Sequence, residues 1–173
     1  LAQFFRYNMR ERNLVVPLRR EIEGLEAYVY ILRIRFPRSL EFVMNVPEDL
    51  LDTSNVPALV LQPLVENSVI HAFKGIDRAG KIEVSIWKEG TTLYLHVRDN
   101  GGGIDPETTQ RLLQLHSRDE NQDSKVMGLE NVIHRLYFLF PDQDDVISIA
   151  GDPGWGTEIV IRINMEVTPS IPF

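Results

Sequence analysis

The chain has 173 residues, 43% of them hydrophobic and 25% charged, with a net charge of -7 at pH 7. This is the balance of a globular protein with one core, and it excludes an intrinsically disordered chain. No apolar run reaches the roughly 18 residues of a membrane span, the acidic charge argues against nucleic acid as a partner, and the absence of cysteine excludes disulfides, thiolate metal sites and thiol nucleophiles.

The chain starts at Leu1 without a signal-peptide pattern, which reads as a piece of a longer protein. Leu1, Phe4, Phe5 and Met9 suggest the end of one helix within 1–13. Leu18, Ile22, Leu25, Val29, Leu32 and Phe36 then alternate steps of four and three, the stripe of an amphipathic helix bounded by Pro17 and Pro37. That stripe can serve a partner helix or pack on its own domain. Leu40, Phe42, Met44 and Val46 change to period two and predict a strand. Asn55-Val56-Pro57 reads as the cap and first turn of a helix reaching about Phe73, with Pro63 kinking it or setting its true start. Two strands follow at 82–86 and 93–97 around a Glu89–Gly90 turn, and two more at 146–150 and 159–163. Helices are expected from Asp105–Pro106 to about Leu115 and from Gly128 to about Phe140. The polar stretch 116–125 between them reads as a mobile loop. Strict alternation in every strand favours a mixed, mostly antiparallel sheet with helices on one face, a two-layer α/β sandwich preceded by a helical segment.

Four segments carry the chemistry. Asp99-Asn100-Gly101-Gly102-Gly103-Ile104 follows the 93–97 strand, and a carboxylate there can accept from an exocyclic amine such as that of adenine. Taken alone it is equally a strand-ending turn. Gly128-Leu129-Glu130-Asn131 opens a helix whose free N–H groups suit an anion. Gly154-Trp155-Gly156-Thr157 enters the last strand, and alone reads as a hairpin. In Gln62-Pro63-Leu64-Val65-Glu66-Asn67-Ser68-Val69-Ile70-His71, Glu66 and Asn67 interrupt an apolar run, so they face a cleft or an exposed helix edge. The Asn67 carbonyl can ligate Mg²⁺, which takes oxygen ligands, and a neighbouring carboxylate can act as a base. No zinc spacing, Gly-x-Ser-x-Gly or P-loop occurs.

In this order the four segments resemble the N, G1, G2 and G3 boxes of the GHKL superfamily, the histidine-kinase and Hsp90-type ATP-binding fold. "LQPLVENSVIHAF", "DNGGGI", "GLENVIHRL" and "GWGTEIVI" are similar to bacterial sensor histidine kinases of the LytS/YesM-like type, and the likeness runs over about residues 1–166. The resemblance implies a Bergerat/GHKL fold with an ATP-binding catalytic domain at 37–166. Residues 1–36 would be the helical end of the dimerisation region, and 167–173 a tail. It implies ATP and Mg²⁺, with Asn67 as the metal ligand and Glu66 assisting the phosphoacceptor histidine or orienting phosphates. Asp99 would bind the adenine amine, supported by Thr157 through water. Gly101, Gly103 and Ile104 would line the nucleotide, His71 would stand beside the cleft, and Gly128 and Leu129 would offer N–H groups to phosphates. Residues 105–127 would form the lid. The implied activity passes the ATP γ-phosphoryl to a histidine outside this chain, for relay to a response regulator. The implied whole protein is a homodimer, and this part is cytoplasmic with no membrane contact.

Three departures stand out. Val126 replaces the first glycine of the usual Gly-x-Gly-Leu, and Ile70 stands where a lysine is common, unless Lys74, Lys125 or Arg118 substitutes. The Pro-His-Phe context of the phosphoacceptor does not occur in the chain. Val126 and Ile70 motivate a second expectation, a nucleotide-binding or partner-docking module on the same fold without kinase activity. A larger Hsp90- or MutL-like ATPase is the third.

Overall fold

The computed structural model describes residues 14–36, 39–72, 79–114 and 128–169, with backbone alone at His71 and Ala72. The helix end expected in 1–13 and the loop expected at 116–125 lie outside the described residues. In chain order the elements are β1 (Val15–Pro17), α1 (Leu18–Arg35), β2 (Leu40–Asn45), α2 (Glu48–Leu51), β3 (Asn55–Pro57) and α3 (Leu61–Asn67). The widened turn Ser68–Ala72, β4 (Gly80–Glu89), β5 (Thr92–Asp99), α4 (Pro106–Leu113), α5 (Leu129–Leu139), β6 (Ile147–Asp152) and β7 (Gly156–Asn164) follow.

Five strands form one sheet in the order β2-β4-β5-β7-β6. Only β2–β4 is parallel; the other three pairs are antiparallel. The expected alternation is the reason for the layering. Ile82, Val84, Ile86, Leu93, Leu95, Val97, Ile159, Ile161 and Ile163 are all buried on the helix side, each contributing roughly 1.5–3 kcal/mol of burial. On the other face Trp87 stacks on Tyr94 with ring centroids 5.0 Å apart. A parallel pair needs a crossover, and here the crossover from β2 to β4 carries α3. This lays α3 against β5, the strand that ends at Asp99.

One stripe of α1 (Leu18, Ile22, Leu25, Val29 and Leu32) is buried in the same core as the sheet. The pattern that could have served a partner helix is therefore used inside the chain. The expected helix start at 55–57 is a strand instead: Asn55–Pro57 pairs antiparallel with Pro17–Val15. The helix begins at Leu61. Pro63 is its third residue, in the first turn, where an N–H would have no partner within the helix, so of the two expectations it goes with the start of the helix and not with a kink. The short helix α2, three residues ahead of β3, was not anticipated.

Candidate functional site

The site grows from the end of β5. Asp99 is buried at 4% exposure, and a buried carboxylate is tolerated only when its oxygens are satisfied. The Gly101 N–H donates to Oδ1 at 2.9 Å and the Thr157 N–H to the same oxygen at 3.2 Å. The Ser68 hydroxyl donates to Oδ2 at 2.8 Å. A carboxylate offers about four acceptor positions, so these three bonds leave one on Oδ2. Three separate segments thus meet on one side chain. Asn100 ties the same loop to the β4 end: its Oδ1 accepts from the Lys81 N–H at 2.7 Å and its Nδ2 donates to the Ala79 carbonyl at 3.1 Å.

The β6–β7 hairpin closes against this loop at two glycines. Gly156 has φ 101°, and a Cβ there would lie 2.0 Å from the Asp99 carbonyl oxygen. Gly103 has φ 78°, and a Cβ would lie 2.0 Å from the Asp152 carbonyl oxygen. These backbones approach so closely that no side chain fits. The Gly154 N–H donates to the Gly102 carbonyl at 2.7 Å, joining the two loops. Gly103 is therefore pressed against the hairpin, and Ile104 beside it packs partly buried on the core. Thr157 reaches Asp99 through its backbone N–H.

Beside Asp99, the end of α3 and the turn after it deliver Glu66, Asn67 and Ser68. Glu66 and Asn67 are half-buried and Ser68 is buried. Burial pushes the Glu66 carboxyl above its ordinary range. Burial, with the Glu66 charge adding to it, pushes the Tyr28 hydroxyl of α1 up to about 12. Ile70 is 60% exposed, and the His71 side chain lies outside the described residues.

What aims α3 is a buried clasp. Glu21 of α1 is 7% exposed. Its Oε1 accepts from the Val60 and Leu61 N–H groups at 2.6 and 2.8 Å, and its Oε2 from the Leu59 N–H at 2.8 Å. Leu59 sits at φ 55°, which is strained for a side-chain-bearing residue. Its carbonyl accepts from Arg135 of α5 at 2.7 Å. Burial raises the Glu21 carboxyl, with the three N–H groups opposing the shift, and burial lowers the Arg135 guanidinium. One carboxylate thus takes three successive N–H groups where the chain enters α3, including the Leu61 N–H that the helix itself leaves open.

The last part is the start of α5. Gly128 precedes it without a side-chain cap, so its first N–H groups face outward from the helix end. Leu129 is buried at 5%, so its side chain belongs to the core and only its backbone can serve a ligand. Arg111 of α4 and Glu130 of α5 form an ion pair at 2.9 Å, tying α4 to the start of α5. Val126, Lys125 and Arg118 lie within 115–127 and Lys74 lies within 73–78, all outside the described residues.

The donor set fits a purine nucleotide. It comprises a buried carboxylate with an acceptor position that its three hydrogen bonds leave open, an amide oxygen on α3 and a helix N-terminus. Among the described residues no cluster of three His, Asp or Glu side chains is placed to hold a metal, and Mg²⁺ carried with phosphates requires only one or two protein oxygens. A cavity of about 330 Å³ lies elsewhere, lined by Tyr94, Phe140, Gln143 and Arg162 among others, and shares no residue with this cleft. The sequence reading missed Ser68, Glu21 and Arg135. Ser68 stands beside Asn67 and was open to detection; the other two act from 46 and 68 positions away along the chain, so only the fold shows them.

Residues 54–167 match the family model of histidine kinase-, DNA gyrase B- and HSP90-like ATPases, and residues 1–40 match the histidine kinase model. The chain is 33% identical over 168 residues to the sensor protein LytS of Bacillus anthracis, covering 96% of this chain and 28% of that protein. It is 32% identical over 163 residues to the sensor histidine kinase BtsS of Escherichia coli K12, covering 94% and 26%. The chain therefore spans little more than a quarter of the length of these relatives. Among solved structures, the histidine kinase domain of the Erythrobacter litoralis EL346 blue-light activated kinase superposes with a TM-score of 0.56. Its identity is 19%, with 87% of this chain and 62% of that one covered, a likeness of fold.

Proposed function

The chain belongs to the histidine kinase-, DNA gyrase B- and HSP90-like ATPases, as an ATP-binding catalytic domain of the sensor histidine kinase kind, and from that premise we propose the reaction it serves. The whole protein binds Mg-ATP in the cleft between Asp99 and α3 and passes the γ-phosphoryl group to a histidine nitrogen on a helical region, releasing ADP. The phosphoryl group then moves to a response regulator. The observation that carries this reading is Asp99, buried and held by three hydrogen bonds.

In this reading the Oδ2 position left on Asp99 accepts the adenine 6-amino N–H. Asn67 would hold Mg²⁺, which when bound neutralises charge on the triphosphate. Backbone N–H groups at Gly128 and Leu129 meet phosphate oxygens. Glu66, whose carboxyl burial raises, takes the proton that the attacking imidazole releases. Gly101, Gly103 and Ile104 shape the loop beside the base, and His71 stands near the phosphate end. The chemistry is mostly positioning and charge neutralisation, as phosphoryl transfer requires. Residues 1–36 end the dimerisation region of a homodimer, and this part lies in the cytoplasm behind a membrane-anchored sensor.

A histidine-bearing helical domain supplied separately with labelled ATP tests the reaction. Label on that domain, lost on Asn67→Ala, is the expected result. Nucleotide binding without any label transfer at high concentrations of both would favour a docking module, the reading that exposed Ile70 supports.

A further inference from the structure

We propose that Arg35, at the end of α1, is the cationic contact for the terminal phosphate of the bound nucleotide; this rests on the Mg-ATP reading above. Helix α1 packs on α3. Glu21, Leu25, Tyr28, Leu32 and Arg35 follow one another in steps of four, three, four and three, a single face of α1. The first four are buried, and Arg35 continues the face where the helix emerges into solvent. Two contacts set the register against α3. Glu21 accepts from the Val60 and Leu61 N–H groups where α3 starts. Two turns on, the Tyr28 hydroxyl is raised first by burial, then further by the Glu66 carboxylate, and is lowered by the Arg35 guanidinium. Both charges therefore stand near that one oxygen.

The two helices run the same way, because α1 leads into β2 and α3 into β4, and these strands are parallel. Arg35 lies about 10 Å beyond Tyr28 along the axis, and a helical side chain leans back toward the N-terminus of its helix. Its head thus comes level with the turn that follows Glu66 and Asn67, the phosphate end of the proposed site. Charge gives this placement a role. Mg-ATP is still an anion, the chain carries -7, and Glu66 adds a carboxylate at that end. Residues 66–70 supply no cation, and Ile70 among them is apolar and exposed. The Arg35 guanidinium lies over the Phe36 ring, 5.3 Å from its centroid, which holds one face and leaves the N–H edge open. Among the described residues no carboxylate pairs with it, whereas Arg19 and Arg111 are both taken. Its planar fork of donors suits two oxygens of one phosphate.

Calorimetry of the 173-residue chain with ADP and with a non-hydrolysable ATP analogue, both with Mg²⁺, reads this contact as a ratio of affinities. Arg35→Gln should lower the ratio of triphosphate to diphosphate affinity by about tenfold, the loss of a charge-assisted contact. Arg35→Lys should keep part of the ratio, and Ile70→Lys in the Arg35→Gln chain should return it, because that lysine stands in the turn that Arg35 serves. Melts followed by circular dichroism check that each variant folds. A ratio unchanged by Arg35→Gln, an equal loss for both nucleotides, or a fall that neither lysine restores would overturn the proposal and leave the nucleotide site standing. A native chain that binds neither nucleotide would overturn the Mg-ATP reading, and the proposal with it.

Discussion

Asp99 and Ser68 form the smallest unit on which the account rests. The carboxylate accepts from two N–H groups on Oδ1 and from the Ser68 hydroxyl on Oδ2, so its orientation is set before any ligand arrives. Asp99→Asn replaces one oxygen by a donor that must face another donor. Hydrogen bonds to charged groups are worth about 1.5–3 kcal/mol, so ADP affinity should fall by about 100-fold in calorimetry. Ser68→Ala keeps the carboxylate and frees its orientation, and a loss of about tenfold, about 1.4 kcal/mol, is expected. Gly156→Ala is a backbone test: φ 101° and a 2.0 Å approach to the Asp99 carbonyl should cost roughly 2–3 kcal/mol and lower Tm by several degrees. Asp99 and the glycines that close on its loop stood out as candidates through the order of the four motifs rather than through any one of them. The backbone route from Thr157 to Asp99 was not legible, since a sequence does not show which atom of a residue faces a neighbour.

At the scale of elements, α3 is positioned by α1 and α5 through Glu21 and Arg135. Glu21→Gln puts an amide where three N–H donors converge, leaving at least one unsatisfied at about 1–3 kcal/mol. The sign of its pH dependence follows from burial. The folded chain holds the Glu21 carboxyl above its ordinary range, so the stability this group contributes is present below the unfolded pKa. It is lost as pH rises through the folded pKa. Denaturant melts of both proteins should show the native chain losing stability relative to Glu21→Gln as pH rises above the ordinary carboxylate range. Glu66 titrates in the same direction in both proteins and cancels in the comparison. The strands and most helices were legible from period two and from the three–four stripe, whose cause is burial of one face. The start of α3 was not. Asn55-Val56-Pro57 has the local chemistry of a helix cap, but pairing with β1 decides its conformation, and that partner lies 40 residues upstream.

For the molecule as a whole, one parallel strand pair explains why α3 meets the Asp99 loop. The crossover between β2 and β4 lays α3 beside the end of β5, while the β6–β7 hairpin closes on the same loop from the other side. The match of residues 54–167 to the ATPase family agrees with that geometry. The order of four motifs made the family legible even though each motif alone reads as an ordinary turn or helix end. The most direct test is calorimetry of the 173-residue chain with ADP and a non-hydrolysable ATP analogue, with and without Mg²⁺, repeated on Asp99→Asn. The account predicts binding by the native chain, a triphosphate affinity raised by Mg²⁺, and loss of most affinity in the variant. No heat at millimolar nucleotide, or equal binding by the variant, would contradict it.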